Sequence, residues 1–492
     1  MIMRQPPQFP RAFLSAYLAL WVPPPPPLLW VVPRSRPWPP PATDPLPYLR
    51  GLYRLLPLDQ VLLILQQTGR AGQRQRRLPP ASVLWLVIGM GLLAQPSIPK
   101  IWRAFHPSVR RCEPTDSAFS QARQRLGVAP LRRAFAWLCR PLATPRTRGA
   151  FYRGWRLMAW DGTVLDVPDT PANERAFGRP GHALGVGAFP QVRLLALCEL
   201  GTHAVCAVQI KPIRCQEITM ARTLVRHLQA DMLLLWDRAF LDYELVCAVR
   251  ARGAHLLARV KVDQLKRRSQ ELPDGSYLCE LRPGQRRRAA PLLVRVIEYS
   301  HNDPNRPGCG EIHRLMTTIL DPEQLPAAAA PVVYHERWEE ELVFDELKTH
   351  LNGRPVLVRS KTPAGVVQEI YGQLLAHWVI RAVMHEAALE AGVDPDRLSF
   401  TNVVWTVRHQ LHEVTAKGVG PWYEDLLWEV KQQQLRPRRE RWYPRVLKKT
   451  QADYPKKRAH HHHPPQPTKP FPEAIVLLGL IGAMDDGEVA SG

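Results

Sequence analysis

Three acids far apart in the chain, Asp161, Asp237 and Glu341, stand where metal chemistry needs them. Asp161 and Asp237 each follow an apolar run that reads as a strand, 156–160 and 232–236. Glu341 lies in 334–348, a stretch without Gly or Pro and rich in Glu, Leu and Lys, which reads as a helix. On a wheel at about 100° per residue, Tyr334, Arg337, Glu341 and Lys348 share one narrow face. Glu339 and Glu340 are rotated away from that face by roughly 100–200°. A carboxylate flanked by cations suits a metal ion beside phosphate: the carboxylate holds the metal and the cations hold phosphate oxygens. Three converging carboxylates need a cation to neutralise them, and hard oxygen ligands imply Mg²⁺ or Mn²⁺. Two such ions about 3.5–4 Å apart activate a water and stabilise the leaving oxygen of a phosphodiester. Taken alone, the helix reads better as a solvated surface with i, i+4 pairs such as Arg337–Glu341. A lone Asp after a strand reads as a turn or cap residue, as Asp166 and Asp169 beside Pro168 do.

The elements around these residues make the constellation more than coincidence. From 155 to 260 the pattern runs strand, hairpin, helix, strand, helix, strand, with the hairpin split by Gly201-Thr202. This predicts a mixed sheet of about five strands with helices on both faces, with Asp161 and Asp237 ending neighbouring strands. Residues 276–281, 291–300 and 312–320 read as strands of a β-rich insertion, 261–333. Residues 355–360 read as a last strand, Thr362 caps a long helix from Pro363 to Gly392, and 400–414 forms another helix. Upstream, helices are expected at 58–67, 81–94 and 117–126, the last opening after Pro114-Thr115-Asp116. Residues 1–48 hold fifteen prolines and read as an extended tail. The expected division is a Pro-rich tail (1–48), an all-α domain (49–148), an α/β catalytic domain (149–420) and a basic arm with a loose end (421–492).

A net charge of +22 and a pI of about 10.0 favour a polyanionic partner, most often nucleic acid. Arg70, Arg74, Arg76, Arg77, Arg103, Arg110, Arg111, Arg123 and Arg125 make the helical domain a candidate grip on phosphates. Residues 431–458 carry eleven Lys and Arg against two acids, with Trp442, Tyr443 and Tyr454 interleaved, as a DNA-contacting arm would. The eight cysteines have neither CxxC pairs nor zinc-like spacing and read as reduced. The longest apolar run, 83–94, is too short to span a bilayer, and 12–22 lacks a cleavage site, so a cytoplasmic protein is expected. His460–His463 reads as low-complexity drift.

The spacing of Tyr334, Arg337, Glu341 and Lys348 resembles the signature helix of the insertion-sequence-four family of DDE transposases. So do the blocks Asp161-Gly162-Thr163-Val164-Leu165, Thr170-Pro171-Ala172-Asn173 with Phe177-Gly178, and Asp237-Arg238-Ala239-Phe240. The stretch Arg123-Gln124-Arg125-Leu126-Gly127 is similar to that family's N-terminal domain. The likeness covers roughly 50–450. It implies an RNase H-like catalytic core with a β-rich insertion and an all-α N-terminal domain. It also implies a bacterial, nucleoid-associated enzyme that moves an insertion sequence by cut-and-paste DNA transposition. Asp161, Asp237 and Glu341 are then the catalytic residues and the ligands of two Mg²⁺ or Mn²⁺ ions. Tyr334, Arg337 and Lys348 orient the DNA end, and Trp338 stands where a residue trapping a flipped base is expected. Because the insertion has no Trp, Tyr277 or Tyr299 is the candidate on its side. The implied partners are terminal inverted repeats and target DNA, handled by a homodimer. The competing readings are a nuclease that only cuts and a decayed or repurposed transposase that only binds DNA.

Overall fold

Helix-prone and strand-prone stretches alternate along most of the chain, and the computed structural model turns them into one long sheet with helices on both sides. It describes residues 54–479, apart from 437–466 and short stretches at 73–77, 94–96, 106–113, 183–184, 262–263, 266–267, 284–288, 307 and 353–357. The expected Pro-rich tail, the two Arg runs at 74–77 and 110–111, and the His run fall outside the described residues. So does nearly all of the basic arm.

The helices α1 (Leu58–Gln67), α2 (Pro80–Leu92), α3 (Ile98–Phe105), α4 (Asp116–Leu126) and α5 (Ala129–Leu138) come first. Thr115 caps α4 by accepting from the Ala118 N–H at 3.2 Å, as its sequence position predicts. Helix α2 is buried on every side from Ala81 to Leu92, so its apolar run is a core helix. Among the described residues no helix is long and apolar enough to cross a membrane.

The sheet begins with β1 (Trp155–Asp166), followed by α6 (Pro171–Phe177), β2 (Gln191–Glu199), β3 (Ala204–Pro212), α7 (Glu217–Leu224) and β4 (Met232–Trp236). Next come α8 (Tyr243–Ala251), β5 (His255–Val260), β6 (Arg268–Glu271), β7 (Tyr277–Leu281), β8 (Leu292–His301) and β9 (His313–Thr317). The strand order is β3-β2-β1-β4-β5-β9-β8-β7-β6. Only the β1–β4 and β4–β5 pairs along that path are parallel. The expected five-strand core is its first half. The insertion is an extension of the same sheet: β9 pairs antiparallel with β5, Leu315 opposite Arg259. One edge strand of the core is thereby covered.

The signature stretch is a continuous helical run of α9 (Ala329–His335), a 3₁₀ turn (Glu336–Trp338), α10 (Glu339–Asp345) and a π turn (Glu346–His350). Then follow the long α11 (Pro363–Ala391), α12 (Phe400–Gln410) and α13 (Val419–Gln432). Thr362 caps α11 and Gly392 ends it at φ +64°, a left-handed position suited to glycine. Helices α7 and α8 cover one face of the sheet. The other face carries α9 over Leu157, Leu233, Leu235 and Leu257, and α11 beside it. The N-terminal helices share the core of α11. At their crossing, a Cβ on Gly91 would lie 2.5 Å from the Gly372 carbonyl, and one on Gly372 would lie 2.4 Å from the Val87 carbonyl. Only glycines allow these backbones so close.

Two expectations change. The strand predicted at 355–360 lies mostly outside the described residues, and 358–360 is not strand. The end predicted to be loose is in part docked. Strand β10 (Ile475–Leu477) pairs antiparallel with β8, and Phe471 stacks on His335 with ring centroids 4.2 Å apart. The fully buried Asp303 accepts the Thr468 N–H at 2.8 Å and the Lys469 N–H at 3.2 Å. Short β-prone runs amid prolines carry too weak a periodicity to announce such a strand.

Candidate active site

Strands β1 and β4 run side by side, with Ala159 paired to Leu235. Asp161 and Asp237 each stand two residues beyond that shared rung. Neighbouring strands lie about 4.8 Å apart, so both acids emerge at the same end of the sheet. The sequence reading ended the first strand at Asp161, whereas β1 continues to Asp166 and Asp161 pairs with Ala196 of β2. Only the parallel ladder with β4 stops there; the antiparallel ladder with β2 goes on. Asp237 caps a 3₁₀ turn, its Oδ1 accepting the Arg238 N–H at 2.7 Å. Trp160 and Trp236 stack at 5.2 Å, tying the two strand ends together.

Glu341 reaches this place from α10, and Arg337 is the neighbour that all three acids share. Its Nη2 lies 3.3 Å from Glu341 Oε1 and its Nη1 lies 4.0 Å from Asp161 Oδ2. Burial opposes its charge, yet Tyr334, Asp161, Asp237 and Glu341 together hold its pKa above the ordinary guanidinium value. Burial pushes the Asp161 carboxyl up, with Glu217 and Glu341 adding to the shift and the Gly162 N–H and Arg337 opposing it. The acids surround Arg337 without closing on one point, as mutually repelling carboxylates around a guanidinium do. Among the described residues, the trio of ligand atoms that all lie within 4.8 Å is a different one, His203, Glu339 and Asp396.

The rest of the signature face is split between buried and open positions. Tyr334 is buried, its hydroxyl donating to the Trp236 carbonyl at 3.3 Å, and burial raises its pKa. It therefore props the end of β4. The Lys348 ammonium donates to Thr163 Oγ1, and burial lowers its pKa. Trp338 is 50% exposed, with the Arg337 guanidinium 5.3 Å from its ring centroid. The tyrosines considered as its counterpart are not presented: Tyr277 and Tyr299 are both buried in the insertion sheet, and Tyr277 donates to Glu298 at 3.0 Å.

One neighbour of the site, Glu217, escaped the sequence reading, and two others, Glu340 and Asn173, were named there without the part they play. Glu217, first in α7, is held by Arg193 at 2.7 Å and fills the space a Cβ on Gly162 would need, 2.4 Å away. The glycine after Asp161 was the available signal. Glu340, expected to be an indifferent neighbour of Glu341, is fully buried beside Asp161, where the Cys198 thiol and the Asp161 backbone N–H approach its carboxyl. Asn173 is buried, donating to the Pro168 carbonyl at 3.0 Å and the Ser360 carbonyl at 3.1 Å. It ties the loop after β1 to the start of α11.

Residues 48–136 match the family described as insertion element 4 transposase N-terminal, and residues 154–379 match the transposase DDE domain. The chain is 30% identical over 408 residues to the transposase InsG for insertion sequence element IS4 of Escherichia coli (strain K12), covering 80% of this chain and 90% of that protein. The chain belongs to the IS4 family of DDE transposases. It is also 27% identical over 225 residues to the putative transposase InsZ of the same strain, covering 41% of this chain and 67% of that one. Membership carries the RNase H-like fold, DNA as substrate, divalent-metal chemistry and insertion-sequence transposition. Strands β6 to β9 continue the sheet beyond β5 in the order given above.

Proposed function

We propose that Asp161, Asp237 and Glu341 are the catalytic triad of this transposase, holding two Mg²⁺ or Mn²⁺ ions. The observation that carries this reading is the shared neighbourhood of Arg337: two acids past one rung of adjacent parallel strands, and the third on the helix that crosses them. The donor set fits the ions, because it is all carboxylate oxygen with neither thiolate nor imidazole. Bound there, the ions supply an activated water and Lewis acidity at the phosphodiester. The chain's own residues do the positioning. Arg337, drawn to a phosphate, releases Glu341 and Asp161 for other ligands. Lys348 and the exposed Trp338 flank the DNA end, Lys348 by charge and Trp338 by stacking on a base. Tyr334 fixes the end of β4 from which Asp237 projects. The helices of 49–148 and the basic arm grip DNA by its phosphates, a homodimer pairs the two terminal inverted repeats, and the protein works in the bacterial cytoplasm on nucleoid DNA.

The test is cleavage of a labelled duplex carrying the element's own end. Glu341→Gln keeps size and removes the charge that holds a dication. It should lower Mg²⁺- or Mn²⁺-dependent nicking by at least about 10³-fold, roughly the loss of about 4 kcal/mol of transition-state stabilisation, with binding retained. Asp345→Asn is the control, since Asp345 is exposed and faces His350 at 3.0 Å. It should cut like the parent. Cleavage by Glu341→Gln would unseat the assignment. A parent that binds its ends but fails to cut them, whichever divalent ion is supplied, would make the chain a DNA-binding protein only.

A further inference from the structure

Behind the signature helix lies a second group of ligand atoms, facing away from the catalytic acids. Glu339 and Glu341 are two residues apart, so their side chains leave the helix roughly 200° apart. Glu339 points to His203, which lies in the turn between β2 and β3 and is fully buried. His203 Nε2 is 3.0 Å from Glu339 Oε2 and 3.5 Å from Asp396 Oδ1. Asp396 belongs to the short turn Pro395–Arg397 after α11. On its other side, His203 Nδ1 faces Glu346 Oε1 at 3.0 Å. Glu346 is itself fixed by His377 Nε2 and Arg381 Nε, each at 2.9 Å.

We propose that His203, Glu339 and Asp396 bind one d-block dication, with Zn²⁺ the best fit, as a structural site separate from the catalytic acids. The geometry needs little change. Zinc bonds of about 2.0–2.2 Å in a tetrahedron set ligand atoms about 3.3–3.6 Å apart, close to the two distances seen. Glu346 supplies the orienting partner. The Arg381 guanidinium contacts both Nδ1 and Glu346; if it donates to Glu346 and Glu346 accepts the Nδ1 proton, the Nε2 lone pair of the neutral ring faces two carboxylates, an arrangement a metal makes favourable. One imidazole with two carboxylates suits zinc and its neighbours rather than Mg²⁺. The side chains of Glu339 and Asp396 are 14% and 23% exposed while His203 is sealed, so a solvent water can complete the shell from outside. The metal would brace three elements: the β2–β3 hairpin, the helix carrying Glu341, and the turn after α11. A proton is its competitor. Burial and Arg381 work against an imidazolium, but Glu346 and Glu339 outweigh them and lift His203 to about 9.

The experiment uses the full chain, stripped with a chelator, and measures Zn²⁺ by equilibrium dialysis and atomic emission. Thermal unfolding is followed with and without Zn²⁺. The parent should hold one equivalent beyond any metal at the catalytic acids, and Zn²⁺ should raise its Tm. Asp396→Asn, at a partly open position, should weaken that equivalent at least about tenfold and remove the Tm shift. Glu339→Gln should do the same. The double variant Asp161→Asn/Glu341→Gln should keep the equivalent, which separates this site from the catalytic one. The proposal falls if the parent and Asp396→Asn retain equal zinc, or if the double variant loses it. In the first case His203 is an imidazolium held by its acids alone.

Discussion

Glu340 and Glu341 are chain neighbours with opposite surroundings. Glu341 is 45% exposed and paired to Arg337, whereas Glu340 is sealed in the apolar layer between α10 and the sheet. Burial first, and then the charge of Asp161, push the Glu340 carboxyl well above the ordinary carboxylate range. A group raised in this way binds its proton more tightly in the folded chain than in the unfolded one. Its contribution to stability is therefore complete below the unfolded value of about 4.3 and fades as pH rises through the folded value. Glu340→Gln does not titrate and avoids that fade. Relative to the parent, its Tm should gain as pH rises above about 4.3 toward the raised folded value, and an offset that ignores pH would refute the buried-acid account. The helical wheel put these two glutamates on different sides of the helix but could not say what lay opposite each. The side that carries Glu340 looks toward the sheet and Asp161, not toward water.

At the scale of elements, Arg123 shows how a sequence block can mislead about its task. Among the arginines expected to face DNA it is buried, with Nε 3.2 Å from Gln368 Oε1 and Nη2 3.0 Å from Ser360 Oγ and 3.1 Å from the Gly365 carbonyl. Glu369 completes the pair at 3.5 Å. Arg103 and Arg125 remain exposed and keep the expected role open. Arg123 thus joins α4 to the first turns of α11. Arg123→Ala leaves Glu369 buried without its cation and should cost about 3–5 kcal/mol in chemical denaturation. A loss below about 1 kcal/mol would mean that solvent enters and replaces the pair. Elements set by local pattern were readable in advance: α1, the cap at Thr362, three of the four strands between 261 and 333, and the strand end carrying Asp237, whereas β6 and the continuation of β1 past Asp161 were not. Features set by partners distant in sequence were not, because nothing local to Arg123, Glu217 or residues 471–477 encodes what packs against them.

Over the whole molecule, the excess of 22 positive charges must meet DNA somewhere, and the described surface holds only part of it. Lys431, at the start of the basic stretch, lies in α13 and pairs with Glu390 at 2.7 Å. Removing residues 437–458 should weaken DNA binding at low salt and flatten its salt dependence, by about 0.9 in the log–log slope for each phosphate that the arm no longer neutralises. An unchanged slope in a filter-binding titration would assign the stretch to solubility. The crossing of α2 with α11 has a consequence in time. Gly91 and Gly372, which meet at that crossing, are 281 residues apart (372 − 91), which at ordinary rates of synthesis is roughly ten seconds to a minute of translation. Throughout that interval α2, apolar all round, has emerged and its docking groove does not yet exist. The newborn transposase is obliged to shelter that helix until α11 leaves the ribosome, so its yield in the cell depends on how well the waiting segment is kept from sticking to others like it.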